Sequence, residues 1–319
     1  MRSYFALAMF GLAVTAGPAG AEVLDLGVHN ANLFSLGNFS TRGSDVEGAV
    51  VVKGNLTASS YSINRKNQDA FGSYSLVVGG NLDYSSASLN NGSYYVGGKA
   101  FLNSVGTDRD TKSVSASPAD LAAMAAHAKT VSSTLSKLAR TGSTSIAYGG
   151  MTLTGTRRAV EVFDITGAAF SSVNYFNLNN LQSGATLIFN ISGKDAIGFH
   201  QNGVGLSAFA NYNVLYNFHE ATNLNIQNVG VQGSILAPLA TVTGGGAQIN
   251  GNVIVGNWLA GVQVNADHYF KPVNVPGYAA LAPVSELSIW PMLAVGLGLI
   301  LLINVRRRDQ LTHPEPLAA

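Results

Sequence analysis

The stretch Val50-Val51-Val52-Lys53-Gly54-Asn55-Leu56 decides the fold, because it returns as Leu76-Val77-Val78-Gly79-Gly80-Asn81-Leu82 and again as Tyr94-Tyr95-Val96-Gly97-Gly98-Lys99-Ala100-Phe101. The turn glycines Gly54, Gly80 and Gly98 fix the repeat. A second pair, Gly233-Ser234-Ile235-Leu236-Ala237 and Gly251-Asn252-Val253-Ile254-Val255, repeats the theme further along the chain. Short β-branched runs at such periods read as coils of a solenoid, each of which buries its apolar side against its neighbours. An antiparallel sandwich would turn its strands back every 8–12 residues or so, a shorter period than this one. The reading is therefore all-β: a right-handed parallel β-helix.

Composition agrees. Charged residues make up only 11% of the chain, and 36 of its 319 residues are glycine, which suits tight turns between strands better than helices. One segment departs from the pattern. Ser117-Pro118-Ala119-Asp120 offers a capping serine and a first-turn proline, and Leu121, Met124, Ala128, Val131, Leu135 and Leu138 follow at helical spacing until Gly142. This predicts one long α-helix over about 118–141, packed along the flank of the solenoid.

The two ends read as export and anchoring signals. Arg2, the apolar run Tyr4 to Val14 and the small residues Ala19-Gly20-Ala21 form a signal peptide over 1–21, with Ala19 and Ala21 at the peptidase site and Glu22 starting the mature chain. Leu287 to Val305 is uncharged and long enough to cross a bilayer as a transmembrane helix. Arg306, Arg307 and Arg308 follow it, so 306–319 is expected as a cytoplasmic tail and the body as external. Pro272, Pro276 and Pro283 mark 271–286 as a semi-rigid linker. The intervening domain is 22–270, and the stretch from Glu22 to Pro283 carries acidic and basic residues in balance. That excludes nucleic acid as a partner held by clustered cations.

Chemistry is sparse. There is no cysteine, so thiol catalysis and cysteine metal sites are excluded. Six histidines show no metal-ligand spacing; His219-Glu220-Ala221-Thr222-Asn223 lacks the second histidine that a zinc-protease helix requires. Gly203-Val204-Gly205-Leu206-Ser207-Ala208 has no strand-to-helix context and reads as a loop. No metal and no cofactor is expected. A solenoid lyase or glycosidase would need paired acids across a groove, and only Asp45 with Glu47, or Asp108 with Asp110, could supply them. Ice-ordering faces use regular Thr-x-Thr ladders, of which only Thr152-Leu153-Thr154 and Thr241-Val242-Thr243 are present. Tyr94, Tyr95, Tyr212, Tyr216 and Trp258 are candidates for stacking on sugar rings.

Several stretches resemble the choice-of-anchor A family of bacterial surface adhesive domains: Ser44-Asp45-Val46-Glu47-Gly48 with Val50 to Leu56, Val214 to Thr222 with its Asn217-Phe218-His219-Glu220-Ala221-Thr222, Gly233 to Pro238, and Gln248 to Ile254. The resemblance spans roughly Val23 to Phe270. It implies a β-helix-like domain, a role in adhesion or in a biofilm or extracellular matrix, and no catalysis; no ligand-binding residue carries over. The tail resembles a PEP-CTERM sorting segment, which implies processing by an exosortase-type enzyme. Pro283-Val284-Ser285-Glu286 stands where Pro-Glu-Pro is expected, so Pro283 and Glu286, with Arg306 to Arg308, are the candidate sorting residues. The expected protein is a non-enzymatic, membrane-anchored cell-surface protein whose partners are surface polysaccharide or other cells. A polysaccharide-active β-helix enzyme is the alternative.

Overall fold

The computed structural model describes residues 23–194, 197–199 and 206–278. Ala19, Ala21, Glu22, Pro283, Glu286, Arg306, Arg307 and Arg308, the apolar run 287–305 and the glycine-rich loop at 203–205 lie outside them. No helix among the described residues is long and apolar enough to cross a membrane.

The body is a parallel β-solenoid, wound in an order that the repeat does not reveal. One face begins with Val160–Thr166, followed in space by Thr186–Ser192, Asn213–Phe218, the start of Ser234–Asn250 and then Val253–Trp258, each parallel to the last. At Val253–Val255 the chain meets its own beginning, Leu33–Ser35. Val50–Val52, Tyr74–Val78, Ser93–Val96 and Lys112–Val114 continue the face to its far end. The chain thus starts in mid-stack, climbs to one end, returns along the flank as a helix, and builds the remaining coils back to its starting point.

This face is covered on both sides, which explains the unbroken valine runs. Val50, Val52, Leu76, Val78, Val253 and Val255 point into the solenoid core. Phe34, Val51, Val77, Leu236 and Ile254, which alternate with them, point outward and are at most 1% exposed. The helix Leu121–Leu135 buries Leu121, Met124, Ala128, Val131 and Leu135. At 1.5 Å per residue it is about 22 Å long and so passes about five coils spaced ~4.8 Å apart. Buried hydrogen bonds fix its position: Ser132 Oγ donates to Asn217 Oδ1 at 2.6 Å, and Asn217 Nδ2 donates to Ser132 O at 3.0 Å and to Asn190 Oδ1 at 2.9 Å. Asn190 Nδ2 donates to the Leu135 carbonyl at 2.7 Å.

The helix is shorter than the sequence suggests. Its N-cap is Asp120, whose Oδ1 accepts from the Ala122 and Ala123 amides at 2.8 and 3.0 Å, while the Ser117 hydroxyl bonds to the Ala119 carbonyl before the first turn. An aspartate standing directly before the apolar stripe outcompetes a serine three residues upstream. Gly142 does not close the helix. It lies where the chain passes the Phe163 ring, and an added Cβ would sit 2.6 Å from Phe163 Cζ.

The Gly-Asn turns form the first corner. Asn38 N–H donates to Asn257 Oδ1 at 2.9 Å, Asn55 N–H to Asn38 Oδ1 at 2.9 Å, Asn81 N–H to Asn55 Oδ1 at 2.8 Å, and Lys99 N–H to Asn81 Oδ1 at 2.8 Å. A Cβ on Gly54 would press on Asn38 Oδ1 and sit 2.6 Å from the Gly37 carbonyl oxygen, so the ladder needs glycine. At the next corner Gly43, Ser60, Ser86 and Ser104 all adopt positive φ, between 49° and 69°.

The Pro-containing stretch from Lys271 is not a free linker at its start. Lys271 N–H donates to Asn213 Oδ1 at 2.9 Å, Val273–Asn274 pairs antiparallel with Val23–Leu24, and Val275 and Tyr278 are buried. The body therefore extends to Tyr278 rather than to 270.

Candidate functional site

The coils present their outward residues in columns. Between the two corners Ser40, Thr57, Asp83 and Phe101 stand in register, as do Arg42, Ser59, Ser85 and Asn103. Arg42 Nε donates to Ser59 Oγ at 3.1 Å. The same side of the other half places Asn223 beside Thr241 and Asn225 beside Thr243. Asn257 Nδ2 donates to Thr241 Oγ1 at 3.3 Å, and Asn225 Nδ2 to Thr243 Oγ1 at 3.2 Å. Thr152 and Thr154 lie elsewhere, on a three-stranded sheet formed by Ser143–Ala147, Gly150–Thr154 and Tyr175–Asn179. The two Thr-x-Thr pairs therefore belong to separate surfaces.

Past the positive-φ corner the third side continues the columns. Gln248 pairs with Gln263, Asp45 with Ser62, and Ser62 with Ser88. Val264 pairs with Val46, which sets Gln263 next to Asp45. Because Ile249, Val264, Val46, Ile63 and Leu89 alternate with these residues and are buried, the polar partners must point outward. A groove of about 750 Å³ lined by Ser44, Asp45, Glu47, Ser62, Ser88 and Gln263 runs across these coils. A second groove of about 620 Å³ shares Ser44 and Gln263 and continues towards Asn228 and Gln248. Together they cross six strand positions, or about 24 Å at ~4.8 Å per coil.

Asp45 and Glu47 are thus brought into one groove, as their alternate spacing on a strand requires. Glu47 is already engaged: its carboxylate lies 3.9 Å from Lys66 Nζ, and Oε2 accepts the Ala266 N–H at 3.1 Å. Burial first, and then the Glu47 carboxylate, push the Asp45 carboxyl above its ordinary value, while Arg65 pulls it down. Asp108 serves its own loop. It accepts the Asn91 N–H at 2.6 Å and the Thr111 hydroxyl at 2.8 Å, and these bonds hold it below the ordinary carboxylate range. Asp110 donates its own N–H to Asp108 Oδ1 at 3.2 Å, so this pair closes a turn and does not face a groove.

The aromatic candidates divide. Trp258 and Tyr216 are fully buried, Trp258 stacked on Phe39 and the Tyr216 hydroxyl donating to the Gln232 carbonyl at 3.1 Å. They are core residues, since inward positions of a wide coil need large side chains. Tyr94, Tyr95 and Tyr212 are half-buried. Among the described residues no cluster of His, Asp and Glu is placed to hold a metal ion, and Glu220 Oε2 accepts the Gly193 N–H at 2.8 Å.

The sequence reading missed Ser40, Thr57, Ser59, Ser62, Ser85 and Ser88. Aligning the coils on Gly54-Asn55, Gly80-Asn81 and Gly98-Lys99 places most of them in columns, so the signal was present in the repeat.

The chain is thus a helix-braced parallel solenoid that carries outward polar columns and two adjoining grooves across six of its strand positions. The chain belongs to the family described as "Putative Ice-binding-like adhesive domain", whose model matches residues 28–266. Solved structures similar to it include an ice-binding protein from the Antarctic ascomycete Antarctomyces psychrotrophicus, with 13% identity, 76% of this chain and 97% of that chain covered, and a TM-score of 0.31. Another is an ice binding protein from an Antarctic Biological Consortium, with 12% identity, coverage of 83% and 97%, and a TM-score of 0.24. No curated protein matches the chain.

Proposed function

We propose that this is a non-enzymatic adhesive domain that holds an extended, repeating polar surface, foremost a polysaccharide, along the groove and the adjoining columns. The observation that carries the reading is the register of Gln248, Gln263, Asp45, Ser62 and Ser88 across successive coils. Hydroxyls, amides and a carboxylate repeated at one spacing suit a polymer with many equivalent hydroxyls better than a single small molecule. In the choice-of-anchor A reading the chain is exported through residues 1–21 and held by 287–305, with or without exosortase processing, and acts in adhesion or matrix organisation.

Sedimentation of the protein with insoluble polysaccharides, with isolated cell-surface polymer and with ice tests this. Ser62→Tyr with Ser88→Tyr should fill the groove and abolish co-sedimentation while the circular dichroism of the folded solenoid is retained, although the bond from Ser88 Oγ to Ser62 Oγ at 2.9 Å is lost. Equal binding by that variant sinks the groove assignment, and binding to ice alone replaces polymer with ice as the surface.

A second reading has one observation in its favour. A carboxyl raised beside a second carboxylate is an arrangement that glycosidases and lyases use, and Asp45 with Glu47 supplies it. The engagement of Glu47 by Lys66 and by the Ala266 N–H weighs against it. Release of reducing ends by the wild type, lost in Asp45→Asn, would establish the enzyme.

A further inference from the structure

A third cavity, of about 610 Å³, lies at the C-terminal end of the long helix, between Lys137–Thr141, Arg158–Val160 with Val162, and Asn274–Gly277. Its floor is apolar: Leu138, Val160, Val162 and Val275 are at most 8% exposed. Its rim is cationic, with the exposed residues Lys137, Arg140 and Arg158. Among the described residues no carboxylate pairs with any of the three, since Lys66 with Glu47 is the ion pair found there. Glu161, three residues after Arg158, is buried and occupied, accepting from the Thr141 hydroxyl at 2.5 Å and the Arg158 N–H at 3.1 Å. Three exposed cations with no ion-pair partner among the described residues, set around an apolar floor, match an anionic group joined to a hydrocarbon.

We propose that this cleft seats an anionic phospholipid, its phosphate on Arg140, Arg158 and Lys137 and the start of an acyl chain on Leu138, Val160 and Val275. The position of the cleft selects a lipid over other amphiphiles. Gly277 lines it, and the uncharged run beginning at Leu287 follows ten residues later, a distance of at most about 35 Å of extended chain. This step rests on the anchored reading above, in which that run enters a bilayer.

The test is calorimetric titration of the full chain in nonionic detergent with dioctanoyl-phosphatidylglycerol, dioctanoyl-phosphatidylcholine and inorganic phosphate. Saturable binding of the phosphatidylglycerol is expected, weakened roughly thirtyfold by Arg140→Gln with Arg158→Gln at an unchanged unfolding midpoint. No binding, binding unaltered in the variant, or inorganic phosphate binding as tightly as the lipid would each overturn the assignment. Short-chain lipid reports on the cleft wherever the tail resides. Membrane fractionation of the full chain reports on the anchor whatever the cleft does, so the two can fail separately.

Discussion

Replacing Asn217 by alanine removes the side chain that joins the helix to the solenoid. Asn217 accepts from Ser132 Oγ and donates to the Ser132 carbonyl and to Asn190 Oδ1, all in buried surroundings. The Ser132 carbonyl keeps a partner, because the Ser136 N–H reaches it at 3.1 Å. The Ser132 hydroxyl and Asn190 Oδ1 are left unpaired, at about 1–3 kcal/mol each, and the space of the carboxamide is emptied. We expect a loss of about 3–4 kcal/mol, a large part of the ~5–15 kcal/mol that stabilises a typical domain. Urea unfolding followed by circular dichroism measures it, and a double-mutant cycle with Ser132→Ala should return a coupling of about 1–2 kcal/mol. As a control, Asn225→Ala, at an exposed pair, should change stability by less than ~0.5 kcal/mol. A loss below ~1 kcal/mol for Asn217→Ala, or zero coupling to Ser132, would refute the claim that this network braces the fold.

Asp120→Ala should cost about 1 kcal/mol of stability through loss of the helix cap, and Ser117→Ala less than ~0.5 kcal/mol; the reverse order by urea midpoint would restore Ser117 as the cap. Glu161 is desolvated, which raises its pKa, but hydrogen bonds from Thr141, Arg158 and Thr156 outweigh this and lower it. Its stabilisation is thus present above the ordinary glutamate range and lost as pH falls through the depressed folded value. Glu161→Gln should destabilise at pH 7 and converge on the wild type in acid, and a pH-independent difference would contradict this. Gly54→Ala should lower the unfolding midpoint by several degrees, since the added Cβ meets Asn38 Oδ1 and the Gly37 carbonyl, and an unchanged midpoint would show that the corner can open.

The coils and the helix were legible in the sequence because they follow from local periodicity. Val50-Val51-Val52-Lys53-Gly54-Asn55-Leu56 and its copies carry both the strand and the turn, and the Leu121 to Leu135 stripe carries the helix. The joint between Val253–Val255 and Leu33–Ser35 was not legible, because it pairs residues far apart along the chain whose side chains match any other apolar strand. Ser117 misled because serine before proline is a good cap in isolation, and only the structure shows that Asp120 bonds the first-turn amides. Trp258 and Tyr216 misled because an aromatic in a β-rich chain has the same local signature inside and outside. Asp45 and Glu47 could be read as a pair, whereas the groove around them depends on coil register. Lys271 to Tyr278 read as spacer from its prolines, yet Asn213 and Val23–Leu24 hold it to the body.

The central claim is that the axial groove holds a polymer without cleaving it. The most direct measurement is retention under flow, on immobilised cell-surface polysaccharide, of cells displaying the wild-type protein or the Ser62→Tyr, Ser88→Tyr variant, with reducing ends assayed in the effluent. The account predicts that wild-type cells are retained, that variant cells at equal display wash through, and that no reducing ends are released. Equal retention of both, or release of reducing ends that Asp45→Asn abolishes, would contradict it.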